Sequence, residues 1–120
     1  MQISFLRRWE KNMNINIDKY SVIIMPIVYR RINRIYEYIF EELYSYEAAE
    51  NFIIKIQKKV QILKFLPRIY KEIEYKDEFN RRYRKIVIDN FILLYTIDEK
   101  MHIVYILSIH YAKQDYLNNF

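Results

Sequence analysis

The side chains able to carry a proton, a phosphate or a charged partner fall into a few short clusters. His110-Tyr111 joins an imidazole, which titrates near neutral pH and can act as a general acid, to a ring that can stack on a nucleobase. Arg82, Arg84 and Lys85 form a second cluster, and Arg30, Arg31 and Arg34 a third. Guanidinium groups match the geometry of phosphates and carboxylates. Each cluster also has a plainer alternative. His110 is then a strand-end histidine bonded to backbone, Arg84 and Lys85 a solvated strand edge, and the three arginines a solvated helix face.

Other chemistry is excluded outright. The chain has no cysteine, hence no disulfide, no zinc-thiolate site and no thiol nucleophile. It has no glycine, hence no phosphate loop, dinucleotide fingerprint or nucleophile elbow. His102 and His110 are expected on one face of a strand, but at roughly 3.3 Å per residue they stand too far apart to share a metal. No metal and no cofactor is expected.

The 120 residues suffice for one domain with a core of its own, and 52% apolar against 29% charged is a globular balance. The net charge of +5 points to a polyanionic partner, either nucleic acid or an acidic protein. The longest apolar runs, Phe91 to Tyr95 and Ile103 to Leu107, are strand-sized, so no membrane association is expected. Absence of cysteine fits a cytoplasmic setting. Residues 1–16 read as an N-terminal extension outside a core domain spanning 17–120, with Met13 a second candidate start.

The elements that must position these clusters follow from periodicity. Tyr20 to Met25 is rich in β-branched residues and reads as a strand, and Pro26 suits the first position of the helix after it. Val28, Ile32, Ile35, Ile39 and Leu43 make one apolar stripe on a helix from Pro26 to Leu43. Its charges oppose the macrodipole: Arg30, Arg31 and Arg34 lie near the positive start, and Glu41 and Glu42 near the negative end. Pairs such as Arg34 with Glu37 are expected to offset part of that cost.

Ser45 caps a second helix whose stripe is Ala49, Phe52, Ile53, Ile56, Val60 and Leu63, and which stops before Pro67. The short link makes the two helices an antiparallel hairpin. Residues 67–81 lack a clean period and read as a loop. Three strands follow, at Arg82 to Ile88, Phe91 to Ile97 and Met101 to Tyr111. Asp89-Asn90 supplies the first tight turn between them. The last two strands are apolar on both faces, and helices cover only one. The N-terminal extension, a second copy or a partner segment is expected to cover the other. The thirteen tyrosines are expected at half-buried sheet and helix positions.

The fold class expected is therefore α+β: a strand, an antiparallel helical hairpin, then a three-stranded antiparallel meander. In this order the chain resembles the RelE/ParE superfamily of toxins from bacterial type II toxin–antitoxin modules. Four stretches carry the resemblance. They are Tyr20 to Pro26; Ala48-Ala49 with Phe52 to Ile56, Leu63 and Phe65-Leu66-Pro67; Asp77-Glu78-Phe79 with Tyr83 to Val87, Asn90-Phe91 and Tyr95; and His110-Tyr111 with Asp115-Tyr116.

The resemblance implies a growth-inhibiting toxin, associated with plasmid stabilization and held silent by a cognate antitoxin. RelE-like members cut mRNA on the ribosome, and ParE-like members poison DNA gyrase. Nucleolytic relatives carry an arginine just after the aromatic residue opening the second meander strand. Here that aromatic is Phe91 and Ile92 follows it. Other nucleolytic candidates are Arg84, Lys85, His110 and Tyr111, acting without a metal. Arg82, Arg30, Arg31 and Arg34 are candidates for binding the target or nucleic acid. The missing arginine tilts expectation toward gyrase. An mRNA endonuclease, a degenerate toxin that only binds antitoxin, and a homodimer stay open.

Overall fold

The computed structural model describes residues 19–113. Expectations about residues 1–16, Met13 and the Asp115-Tyr116 pair lie outside the described residues. The elements run β1 (Ser21–Ile24), α1 (Pro26–Glu42), α2 (Tyr46–Ile62), β2 (Glu72–Lys76), β3 (Arg82–Ile88), β4 (Phe91–Asp98) and β5 (Ile103–Tyr111). The five strands form one sheet in the order β1-β5-β4-β3-β2. β2 to β5 make an antiparallel meander, and β1 lies parallel to β5. A parallel partner needs a long crossover, which the helical hairpin and the rest of the chain provide.

Both helix starts follow the sequence chemistry. Pro26 opens α1, whose N-cap Met25 contributes no side-chain bond. The Ser45 hydroxyl accepts from Ala48 N–H at 3.0 Å and caps α2. α1 has no acidic residue in its first turn and no basic residue in its last, so its charges do oppose the dipole. No ion pair joins Arg34 to Glu37 among the described residues. α2 has the favourable arrangement, with Glu47 in its first turn and Lys59 in its last.

The core lies between the hairpin and one sheet face. Val28 and Ile32 of α1 and Phe52, Ile56 and Val60 of α2, with Leu63 just beyond, pack against Ile86, Ile88, Leu93, Tyr95, Val104, Ile106 and Ile109. At about 25 cal/mol per Å² of apolar area removed from water, this burial is the main stabilising term. The α1 stripe runs off the core at its far end, where Leu43 is exposed. Two α2 lysines tie the hairpin down: Lys55 pairs with Asp89 at 2.8 Å, and Lys59 donates to the Val87 carbonyl at 2.7 Å.

Two parts of the expected sheet need correction. The segment 67–81 contains β2, so the meander has four strands. Glu72-Ile-Glu-Tyr-Lys76 alternates charge with apolar residues and pairs with β3 in an irregular register, the pattern of a charged edge strand. The Asp89-Asn90 turn forms as expected between β3 and β4, with Asp89 at φ 52°.

The other correction concerns the second sheet face. The register interrupts between Leu94 and Tyr95, so Leu107 is an extra residue in β5 and the alternation reverses there. Val104, Ile106 and Ile109 therefore share the helix side, and His110 turns to the opposite side with Ile92. His102 is in the β4–β5 turn at φ 54°, stacked on Tyr20 at 4.6 Å, so the two histidines share no face. On that opposite side Ile92, Leu94, Ser108 and His110 are already buried within the single chain. Of the three expected covers, a second copy and a partner segment are therefore not needed, and the N-terminal extension lies outside the described residues.

Candidate functional site

β1 pairs with β5 only at residues 103–106, so the end of β5 runs past it. The first turns of α1 pass beside this stretch. Arg31 uses it: its Nη1 donates to the Ile109 carbonyl at 3.3 Å. A groove of about 560 Å³ opens there, lined by Arg31, Arg34 and Ile35 of α1, Phe91 of β4, and Ile109, His110 and Tyr111 of β5. Among the described residues no carboxylate lines it. The Phe91 and Tyr111 rings meet at 5.7 Å, and Phe91 also packs on Phe52 at 5.5 Å, so the aromatic wall rests on the core. His110 is buried, and burial first, then the Arg31 charge, pushes its pKa below the usual 6.5. Its imidazole is consequently neutral at pH 7.

Two of the sequence clusters thus meet in one place. Arg31 and Arg34 join His110 and Tyr111, while Arg30 is exposed on α1 outside the groove lining. Sequence periodicity could not reveal this, because the contact spans α1 and β5 and depends on the shortness of β1. The apolar lining residues Ile35 and Phe91 were not singled out as site residues for the same reason.

Arg82 and Arg84 lie elsewhere, in a cleft of about 620 Å³ at the other end of β4, roughly 20 Å away at 3.3 Å per residue. Arg68, Arg81, Arg82 and Arg84 line it with Glu72, Asp98 and Glu99. These guanidinium groups are engaged. Arg84 donates to the carbonyls of Tyr70 at 2.7 Å and Arg68 at 3.3 Å, and both Arg82 and Arg84 sit 3.6 Å from Glu72 carboxylate oxygens. Arg68 pairs with Glu99, and Arg81 with Asp77. Arg84 therefore ties β3 to the chain entering β2.

Lys85 is on the sheet face opposite the helices. It pairs with Leu94, and Leu94 with Ser108, whereas Ile92 pairs with His110. Lys85 and His110 are thus offset by two strands and two residues, roughly 10 Å across and about 7 Å along. The four proposed nucleolytic residues do not converge: His110 and Tyr111 share the groove, Lys85 is apart from it, and Arg84 is in the distant cleft.

One residue of a quoted stretch has a clear structural part. Asp77 accepts from the backbone N–H of Phe79 and of Arg81 at 3.0 and 2.9 Å, and from the Tyr83 hydroxyl at 2.6 Å, besides its pair with Arg81. Partial burial opposes its ionisation, but the Tyr83 and Arg81 bonds outweigh it and bring the pKa down to about 2. This carboxylate shapes the β2–β3 turn, in which Asn80 takes φ 60° in place of a glycine. Among the described residues no group of three or more His, Cys, Asp or Glu side chains is placed to hold a metal ion, and no helix is long and apolar enough to cross a membrane.

Comparison with known proteins agrees with this architecture. The chain resembles in fold a solved structure described as the archaeal RelE-RelB complex from Pyrococcus horikoshii OT3, with a TM-score of 0.52 and 14% identity over 80% of this chain and 98% of that one. At that identity the likeness concerns the fold alone. No curated protein matches the chain in sequence. The family described as ParE toxin of type II toxin-antitoxin system, parDE, matches residues 22–116, which takes in both helices, β2 to β5, all of β1 but Ser21, and the residues lining the groove. The chain therefore belongs to the ParE toxin family of type II toxin–antitoxin systems.

Proposed function

We propose that the chain arrests growth by binding DNA gyrase, in the manner of a binding module and not of an enzyme. The observation that carries this is the dispersal of the nucleolytic candidates. Metal-free RNA cleavage needs a base, an acid and cations around one phosphate. Here Lys85, Arg84 and His110 occupy separate places, Ile92 is buried where nucleolytic relatives carry arginine, and His110 is held neutral at pH 7. A neutral imidazole is a far weaker acid than an imidazolium, so the lowered pKa disfavours His110 as a general acid.

The cationic-aromatic groove suits binding. Arg31 and Arg34, with Arg30 nearby, offer charge to the DNA backbone held by gyrase or to an acidic protein surface. Arg82, exposed but 3.6 Å from Glu72, stands in the mixed-charge cleft at the other end. A cognate antitoxin partner is supported by the family and by the partnered state of the archaeal relative of similar fold. The groove and the net charge of +5 make an acidic antitoxin segment the complement.

Induction of the chain in cells tests the proposal. Gyrase–DNA cleavage complexes are expected to accumulate, without mRNA cuts in the ribosomal A site. Abundant A-site cuts, lost in His110→Ala, would establish the endonuclease instead. Normal growth on induction of folded protein would leave only antitoxin binding.

A further inference from the structure

The tip of the helical hairpin has the opposite character from the groove. Between Ile35 and Ile54 the chain carries Glu37, Glu41, Glu42, Glu47 and Glu50 and no lysine or arginine, in a protein whose net charge is +5. Among the described residues no ion pair engages Glu41, Glu42 or Glu47. Glu41 and Glu42 also sit at the negative end of the α1 dipole, where local helix energetics disfavours them.

Amid these carboxylates stand four large, exposed apolar or aromatic side chains. Phe40, Leu43, Tyr44 and Tyr46 are 46%, 61%, 93% and 63% exposed, and the rings of Phe40 and Tyr46 meet edge-to-face at 6.2 Å. Tyr44 is the most exposed and takes φ 49°, a left-handed conformation costly for a bulky residue. Glu47 suits the start of α2, Glu50 accepts from the Tyr36 hydroxyl at 2.9 Å, and the Phe40–Tyr46 pair joins the two helices, but among the described residues Glu41, Glu42, Leu43 and Tyr44 have no such part.

We propose that this acidic, aromatic tip is a second docking surface, and that its occupant is a cationic, Lys/Arg-rimmed apolar patch on the protein target of the toxin. Charge complementarity selects the occupant. An acidic antitoxin segment suited to the groove is repelled by five glutamates, and a symmetric contact between two copies would place glutamate against glutamate. A protein that handles DNA presents cationic surface of the kind the tip complements. The inference rests on the growth-inhibition reading and adds to it: the groove takes an anionic partner and the tip a cationic one, at opposite ends of α1.

Growth arrest at graded expression tests it, with wild type, E41K/E42K and Tyr44→Gly side by side. Each purified variant is also melted and tested for co-purification with a co-expressed candidate antitoxin, chosen as the one that co-purifies with the wild type. E41K/E42K is expected to need at least tenfold more protein for equal arrest, with antitoxin binding retained. Tyr44→Gly relieves the left-handed strain and is expected to melt higher yet inhibit several-fold less, a combination a purely structural role would not give.

Variants as potent as a potent wild type would overturn the tip alone. Loss of antitoxin binding in step with potency would assign the tip to the antitoxin and overturn the proposal. So would a wild-type dimer that E41K/E42K converts to monomer. A folded wild type that leaves growth unchanged would remove the growth-inhibition reading and the tip proposal together.

Discussion

His110 illustrates how environment decides what a side chain can do. From sequence it is a histidine near the end of a strand, with a general-acid part open to it. Its burial and the approach of Arg31 both disfavour the charged ring, so its pKa is below 6.5 in the folded chain. The unfolded chain then takes up the proton first as pH falls. The associated stability is complete above 6.5 and declines as pH drops below it. An NMR titration should place the His110 transition below 6.5, and Arg31→Ala should move it upward. A transition unmoved by Arg31→Ala would remove the arginine from the site.

Asp77 runs the other way. Its pKa of about 2, against an ordinary 3.8, means stability present above 3.8 and lost as pH falls toward 2. Asp77→Asn is expected to lower the melting temperature by several degrees at pH 7 and to erase that part of the acid sensitivity. Equal melting of the two proteins across this range would contradict the role of the carboxylate.

At the scale of elements, the hairpin was legible because its signals are local. Pro26 starts α1, Ser45 starts α2, and the Ala49-Phe52-Ile56-Val60 stripe marks the buried side. Ser45→Ala should cost about 1 kcal/mol in urea unfolding, the usual worth of such a cap. β2 was not legible, because five residues with two glutamates and a lysine carry little strand propensity of their own. Its pairing with β3 is a tertiary effect, reinforced by Arg82 and Arg84 reaching Glu72. The bulge at Leu107 was equally hidden. A single extra residue moved His110 to the other side of the sheet, and an alternation count cannot detect that. The groove was legible only as separate clusters, since the shortness of β1, which lets Arg31 reach Ile109, is a property of the assembled sheet.

The whole molecule differs from expectation most in how it closes. An outer sheet face covered by the N-terminal extension, a second copy or a partner segment was expected, and Leu94 and Ile92 are interior to the lone chain. Leu94→Ala should therefore cost about 2–5 kcal/mol in the isolated protein, like any core truncation. A cost below about 1 kcal/mol would show that face open to solvent. What the molecule leaves outside is charge-sorted surface, cationic beside β5 and anionic at the hairpin tip.

That arrangement suits recognition more than cleavage, and purified gyrase tests the distinction most directly. Gyrase, ATP and relaxed plasmid are incubated with rising amounts of the chain, and supercoiled and linearised DNA are measured. Gyrase binding through the groove predicts dose-dependent loss of supercoiling with accumulation of cleaved DNA, both weakened at least tenfold by Arg31→Glu/Arg34→Glu. Undiminished supercoiling by gyrase in the presence of folded, growth-arresting protein would contradict it.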